Sequence, residues 1–191
     1  MRRGKVDPAS KYWLHGWLRQ RFKITGIDIS VDHVKEMTRL GFSDVFVADA
    51  ERFDLGRKFD SVVAGEVIEH LRNPGLFLDC ASKHLARGGR LLLSTPYPFS
   101  LLHILYAICH FPRTCSNPEH TSWFCLSTLR QLVGPYKFRI LATELIEDYP
   151  VTPEMSWRYR CFVRVLRLLG WALPKRLRAN TILLVLEKEG D

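Results

Sequence analysis

Short β-branched runs alternate with helical segments from Lys23 onward, and this alternation constrains the fold more than any other feature of the sequence. The pattern is typical of βαβ units built around a mostly parallel sheet. The predicted strands span residues 23–28, 44–48, 59–64, 90–95, 138–146 and 181–187. We therefore expect an α/β fold, a three-layer sandwich whose mostly parallel sheet ends in an antiparallel edge strand.

The signals at helix ends support this pattern. Ser30 is placed to cap a helix that Gly41 closes in left-handed geometry. A second helix is predicted to start at Asn73-Pro74 and to run to Gly88-Gly89. Residues 12–22 read as an amphipathic helix. A chain of 191 residues with this ordinary composition predicts one domain over residues 1–191.

The net charge of +8 first raises the question of nucleic-acid binding. The cations are concentrated in residues 1–23 and 155–180, and the rest of the chain is net acidic. That distribution is unlike a face that follows a phosphate backbone, so we do not expect a nucleic-acid partner. Five cysteines without a CxxC pair, and an N-terminus without an apolar leader, predict a cytoplasmic protein.

Acidic residues follow three predicted strands at the point where each strand ends. They are Asp28, then Asp49 with Ala50, then Gly65-Glu66. Ligands of open α/β sheets bind beyond the carboxyl ends of the strands, and a carboxylate there matches the two hydroxyls of a ribose. The order and spacing favour an adenosine site. Each aspartate alone is equally explained as a helix cap or a turn former.

Three stretches resemble successive motifs of the class I S-adenosylmethionine (SAM)-dependent methyltransferases. They are VADAE (47–51), FDSVVAGEVIEHL (59–71) and LARGGRLLLSTP (85–96). The branch of small-molecule enzymes that includes the ubiquinone-type O-methyltransferases is the most similar. The resemblance implies a Rossmann-like fold, SAM as cofactor, and methyl transfer to a small metabolite, lipid or sugar.

The same resemblance implies roles for seven positions. Asp28 and the adjoining Ile29 match the residues at the ribose, and Asp49 with Ala50 matches those at the adenine. The segment Gly65-Glu66-Val67 matches the residues that line the methionine end of the cofactor.

The first motif of the family departs from its usual pattern. The family has a first strand and a glycine-rich turn upstream of Asp28, whereas here Asp7 is followed by Pro-Ala-Ser-Lys at 8–11. Residues 1–22 are thus predicted to be a degenerate or truncated remnant of that strand, loop and helix. A shortened gene product, a diverged loop that still binds, or loss of methyl transfer each explain it. The alternative function is therefore a catalytically impaired relative that serves as a binding or interaction module.

Glu66, Glu69 and His70 stand at i, i+3 and i+4, which places all three on one side of a helical turn. In certain O-methyltransferases and small-RNA methyltransferases, a similar Glu-x-x-Glu-His binds a divalent ion together with a later histidine, which His120 matches. The resemblance thus implies a site for an ion such as Mg²⁺ at Glu66, Glu69, His70 and His120. Metal-free acid-base chemistry, with His70 or His120 as base and Glu69 orienting it, and a structural role stay open.

Residues 97–125 fall where the resembling enzymes place substrate-recognising elements. The aromatic side chains predicted to shape that pocket, or to pack in the core, are Tyr97, Phe99, Trp123 and Phe124. A zinc cluster of Cys109, His110, Cys115 and His120 is not expected, because its spacing matches no recognised zinc pattern.

A basic amphipathic helix is predicted over residues 152–174. Its arginine stripe consists of Arg160, Arg164 and Arg167, and its predicted apolar face consists of Phe162, Val165, Leu166 and Leu169. Such a helix can contact an anionic membrane surface peripherally, or it can be a surface helix with a solvated charged face.

Overall fold

The computed structural model describes residues 13–110, 117–149, 156–170 and 172–190. The chain divides into two compact units, residues 1–55 and 56–191. The single-domain organisation over residues 1–191 stays a prediction. The degenerate first motif at residues 7–11 lies outside the described residues.

Helices and strands alternate as the sequence predicts. The helices are α1 (Leu14–Arg19), α2 (Val31–Arg39), α3 (Pro74–His84), α4 (Leu101–Cys109), α5 (Leu126–Val133), α6 (Trp157–Leu168) and α7 (Lys175–Arg178). The strands are β1 (Gly26–Asp28), β2 (Val45–Val47), β3 (Phe59–Gly65), β4 (Leu85–Pro96), β5 (Phe138–Ile146) and β6 (Thr181–Lys188). Two short 3-10 turns cover Ile68–His70 and Gly134–Tyr136.

The first unit holds a parallel pair of strands, β1 and β2, in which Asp28 lies opposite Val47. Helix α2 connects them. The Ser30 side chain accepts a hydrogen bond from the backbone N–H of His33, as predicted for an N-cap. Gly41 follows the helix at φ +86°, which confirms the predicted left-handed closure. The core of this unit is Val34, Met37 and Val45, with Trp13 and Phe42 packed against it.

The second unit holds a four-stranded sheet in the order β3-β4-β6-β5. Strand β3 pairs parallel with β4, and β6 pairs antiparallel with both β4 and β5. Three of these four strands therefore run parallel, which confirms the mostly parallel α/β fold.

The antiparallel strand lies inside the sheet and not at its edge, which corrects the prediction of an antiparallel edge strand. No residue of β6 is exposed, and Ile182, Leu184 and Leu186 are fully buried. A strand with both faces covered is stabilised most between two neighbours, because an edge position leaves one ladder of backbone groups unpaired.

Helix α3 ends at His84, four residues before the predicted stop at Gly88-Gly89. The chain enters β4 at Leu85, which pairs with Phe59, and the register then shifts before Arg90 pairs with Ser61. Gly88 has φ +73° within this irregular stretch. The glycines thus supply the backbone freedom for a bulge in β4 and do not cap a helix.

Helix α6 begins after Ser156, whose side chain accepts a hydrogen bond from the backbone N–H of Tyr159. The predicted start at Thr152-Pro153-Glu154 lies outside the described residues. The buried face of α6 consists of Val163 and Leu166, which pack with Tyr149. Of the predicted apolar face, Leu166 is buried, whereas Val165 and Leu169 are half exposed. Among the described helices, none is both long and apolar enough to cross a bilayer.

Candidate functional site

The two aspartates of the first unit lie at the same edge of its parallel pair. Asp28 is the last residue of β1, and Asp49 comes two residues after the end of β2. The backbone N–H of Ala48 donates to the carbonyl of Asp28 at 3.1 Å, which holds the two strand ends together. The two carboxylates therefore share one edge of the strand pair, as expected for residues at the carboxyl ends of parallel strands.

Both aspartates also order the turns that follow them. The Asp28 carboxylate accepts a hydrogen bond from the Ser30 N–H at 2.7 Å, and its other oxygen lies 3.4 Å from Nδ1 of His33. Asp49 accepts from the Glu51 N–H at 2.9 Å. The turn-former interpretation thus holds for both residues. Because a carboxylate oxygen has two acceptor positions, each side chain keeps capacity for a ligand hydroxyl or amine.

The residue after Asp28 is an unexpectedly exposed apolar side chain. Ile29 is 72% exposed, although it follows a strand directly. An isoleucine at a strand end is more often buried, so this exposure is compatible with an apolar contact to a ligand ring. Ala50, three residues after the end of β2, is half-buried.

Glu66 directly follows β3 in the second unit and has φ +54°, a left-handed conformation that is uncommon for a residue with a side chain. Its backbone N–H donates to the Ser94 carbonyl at 3.1 Å. The Ser94 hydroxyl in turn donates to the Glu66 carboxylate at 3.1 Å. Strained backbone held in this way clusters at ligand sites, so Glu66 is a functional candidate on conformation as well as on chemistry.

The Glu66 carboxyl group is unusual in its acidity. Its pKa is raised to about 7: desolvation by the surrounding protein is the largest cause, the nearby Glu69 carboxylate adds to it, and the Ser94 hydrogen bond opposes the shift. Glu66 therefore exchanges a proton close to neutral pH, where most carboxylates are fully charged.

We expect Glu66→Gln to raise the free energy of unfolding by about 1 kcal/mol at about pH 8 and to leave it unchanged at about pH 4. The folded-state pKa of Glu66 lies above its unfolded value, so the wild type loses stability as the pH rises from 4.5 toward 7. Glutamine does not ionise. The side chain is partly exposed, and solvent screening reduces the effect well below the full shift.

Urea unfolding of both proteins across this pH range is the measurement. Glu144→Gln, on an exposed position of β5, controls for the loss of one surface charge. A constant difference between wild type and Glu66→Gln at all pH values would contradict the raised pKa.

Glu69, His70 and His120 come together in one cluster. One ligand atom from each lies within 4.8 Å of the others, and they form the only such group of three among the described residues. The Glu69 side chain is 2% exposed, and burial raises the pKa of its carboxyl group. One of its oxygens accepts from the Thr95 hydroxyl at 3.0 Å, while Oε1 has no hydrogen-bond partner. A buried carboxylate oxygen without a partner costs free energy, so this atom calls for a ligand or a proton.

The segment before α5 brings His120 to this cluster across fifty residues of chain. The Thr121 N–H donates to the Glu69 carbonyl at 2.8 Å, and the Thr121 hydroxyl donates to the Leu71 carbonyl at 2.7 Å. Nδ1 of His70 lies 3.3 Å from the Glu119 carbonyl. These bonds fix the segment on the turn after β3, and the rings of His70 and His120 meet edge to face at 4.7 Å.

His120 is poised to be neutral. Desolvation lowers its pKa below the usual 6.5, and coulombic interactions with the nearby His70 and His103 lower it further. Trp123 lies between His120 and His103, with ring centroids at 5.8 and 5.0 Å. A neutral imidazole beside a tryptophan can accept a proton near neutral pH.

The other site residues that the sequence predicts in the second unit differ in location and in burial. Glu66 is not in the cluster that could hold a metal ion, so the four-residue ligand set of the sequence analysis is brought together only in part. Tyr97 and Phe124 are buried, whereas Phe99 is 55% exposed. Gly65 is exposed and Val67 half-buried. Cys115 lies outside the described residues.

Three polar residues that hydrogen-bond to Glu66 or to the turn of Glu69, His70 and Leu71 were not identified from sequence. They are Ser94, Thr95 and Thr121. The first two lie just before Pro96, the last residue of β4, so an examination of the carboxyl end of that strand would have found them. Thr121 carries no comparable signal, because its role depends on a contact between segments distant in the chain.

Comparison with known proteins adds an independent observation. A family profile described as a methyltransferase domain matches residues 9–143, more than half of the chain. No curated protein matches the sequence.

Solved structures share the fold at low identity. A SAM-dependent methyltransferase from Archaeoglobus fulgidus is 18% identical, with a TM-score of 0.63 over 90% of this chain and 79% of that one. A SAM-dependent methyltransferase from Mesorhizobium loti is 13% identical, with a TM-score of 0.62 over 92% and 86% of the chains. The magnesium protoporphyrin IX methyltransferase of Synechocystis PCC 6803, solved with S-adenosylhomocysteine (SAH), is 18% identical, with a TM-score of 0.55 over 90% and 67%.

Proposed function

Because this chain belongs to the methyltransferase domain family and is a methyltransferase with the Rossmann-like fold of SAM-dependent enzymes, we propose that it methylates a small-molecule acceptor. The acceptor we infer is a metabolite, lipid or sugar that presents a hydroxyl group. The observation that carries the proposal is the cluster of Glu69, His70 and His120, which gathers proton-accepting groups beyond the carboxyl end of β3.

The cofactor half of the proposal depends on the strand ends. Asp28 keeps free acceptor positions for ribose hydroxyls, Ile29 offers an apolar contact, and Asp49 with Ala50 follows the neighbouring strand. Gly65, Glu66 and Val67 supply the residues for the methionine end, where the Glu66 carboxylate is a hydrogen-bond acceptor for an ammonium group. We also propose that the chain is related to the small-molecule branch that includes the ubiquinone-type O-methyltransferases.

Methyl transfer is an in-line displacement at a sulfonium carbon. A lone pair of the acceptor oxygen forms the new O–C bond, the S–C bond breaks, and its electron pair stays on sulfur as SAH leaves. The chain therefore has to position the acceptor and remove its hydroxyl proton. We infer that His120 takes this proton, because its lowered pKa keeps it neutral at neutral pH. Glu69 lies 4.0 Å from His70 Nε2, so it acts on that ring through charge and not through a hydrogen bond.

The residues present also fit a divalent cation. The orphaned Glu69 Oε1 and the two imidazoles provide three donors, and Glu69 is close enough to raise the pKa of Glu66. Two nitrogen donors favour Mn²⁺, Co²⁺ or Zn²⁺ over Mg²⁺, which prefers oxygen ligands. A bound ion would lower the pKa of an acceptor hydroxyl and orient vicinal oxygens. Metal binding by His120 is the alternative to the proton transfer inferred above, because a metal-bound imidazole has no lone pair for a proton; the lowered pKa of His120 favours the metal-free mechanism.

Calorimetric titration of the purified chain with SAM and with SAH tests the proposal. We expect saturable one-to-one binding of both ligands, followed by SAH release when a pool of hydroxylated acceptors is added with SAM. Absence of binding up to about 1 mM ligand, equivalent to about 4 kcal/mol of binding free energy, would instead favour the binding or interaction module. The comparisons do not favour that alternative.

The proposal also includes the cellular compartment of the protein. We infer a cytoplasmic enzyme, because the four described cysteines, Cys80, Cys109, Cys125 and Cys161, are all free thiols.

A further inference from the structure

Two helices of the second unit leave apolar faces exposed. Helix α4, LLHILYAIC, contains no charged residue and no fully buried one. Ile108 is 70% exposed on it. A helix that is apolar on all sides is normally buried in a core or in lipid, so an exposed one indicates a missing partner.

Helix α6 presents a second exposed face. Trp157 is 65% and Leu168 is 74% exposed, and Val165 lies on the same side at eight residues from Trp157. Both helices contact one buried cluster. Leu101 and Leu102 of α4 pack against the cluster that Tyr149 forms with Val163 and Leu166 of α6, so both helices share one buried support.

The charge of this region selects the partner. Residues 156–180 contain no acidic residue. The exposed cations are Arg158, Arg164, Arg167, Lys175 and Arg176. Exposed aliphatic side chains next to exposed arginines and lysines, with a tryptophan among them, are the composition of a helix that lies in a membrane interface.

We propose that α4 and α6 form a docking surface for an anionic lipid bilayer. Ile108, Trp157 and Leu168 enter the headgroup boundary, and the cations of α6 and α7 contact the anionic headgroups. The arginines that contact lipid are Arg158 and Arg164, on the exposed side. Arg160 is half-buried and Arg167 donates to the Tyr149 carbonyl at 3.5 Å, so the membrane face is rotated from the stripe predicted by sequence.

Other occupants fit this surface less well. A second copy of the chain would bring arginines of two α6 helices together, which like-charge repulsion disfavours. Single-stranded RNA binds through stacking on aromatic rings, and most exposed apolar residues here are aliphatic.

Flotation with vesicles tests the proposal. We expect the full chain to bind phosphatidylcholine vesicles containing about 30% phosphatidylglycerol, and to bind pure phosphatidylcholine vesicles at least about tenfold more weakly. The double variant Arg158→Glu/Arg164→Glu should lower binding to the anionic vesicles by about 25-fold or more, at about fivefold for each charge. Leu168→Asp and Ile108→Asp should each lower binding about tenfold even at low salt, because apolar burial is lost.

Leu76→Asp, at a 40% exposed position of α3, is the matched control and should bind as the wild type does. The substituted positions are exposed, and circular dichroism together with SAM titration shows whether each variant keeps its fold and its cofactor affinity. Equal binding to neutral and anionic vesicles, binding that Leu168→Asp and Ile108→Asp leave unchanged, or binding to a short single-stranded RNA without binding to vesicles would overturn the proposal. None of these outcomes bears on methyl transfer, so the two proposals can fail separately.

Discussion

Replacing Asp28 by alanine is expected to weaken the binding of SAM at least about a hundredfold. In the proposed site the Asp28 carboxylate accepts two hydrogen bonds from the vicinal hydroxyls of the ribose. The alanine variant has no side-chain acceptor and loses both bonds. Each such bond to a charged group contributes about 1.5–3 kcal/mol, and about 1.4 kcal/mol corresponds to a factor of ten. Calorimetric titration with SAH, which is chemically stable, measures the loss.

Asp28→Asn separates the ligand from the turn. Asparagine keeps an oxygen that can accept from the Ser30 N–H, so the turn after β1 is preserved. It lacks the charge and one acceptor, and we expect about a tenfold loss of affinity. Asp32→Ala, at an exposed position in the first turn of α2, is the matched control and should bind SAH normally. Equal affinity of the wild type and Asp28→Ala would show that Asp28 only forms the turn.

The sequence predicts those features of the fold and the site that depend on short-range preferences of the chain. Strand β5 occupies the predicted range of residues 138–146, and Ser30 and Gly41 bound α2 as predicted. Short-range preferences for caps, turns and β-branched runs decide these features, and the carboxyl ends of parallel strands then bring Asp28 and Asp49 together.

The remaining features depend on contacts between distant segments. The position of β6 between β4 and β5 follows from which strand can be covered on both faces. Packing with Tyr149 and Leu101 decides which face of α6 is buried, and the spacing of the arginines does not reveal that face. The hydrogen bonds of Thr95 and Thr121 to Glu69 join residues 26 and 52 positions apart. No pattern within a short window of sequence encodes such pairings.

Glu69→Gln is expected to stabilise the metal-free protein and to abolish cation binding, two opposite effects of one substitution. Burial raises the pKa of Glu69 above its unfolded value, so the stability present at low pH is lost as the pH rises through the folded-state pKa. Glutamine keeps an oxygen for the Thr95 hydroxyl and carries no charge. At about pH 8 we expect its free energy of unfolding to exceed that of the wild type by about 1–3 kcal/mol, with little difference at about pH 4.

Adding Mn²⁺ or Co²⁺ should cancel or reverse this difference. A ligand present at about a hundred times its dissociation constant stabilises the folded state by about 2.7 kcal/mol, which the wild type gains and the variant does not. Thermal melts with and without each ion measure both effects. Asp60→Asn, on an exposed position near the start of β3, controls for the loss of a carboxylate on the strand that precedes Glu69. If the ions leave the wild-type melting temperature unchanged while Glu69→Gln raises it, Glu69 is a buried protonated carboxyl group, and proton transfer by His120 without a metal becomes the mechanism to test.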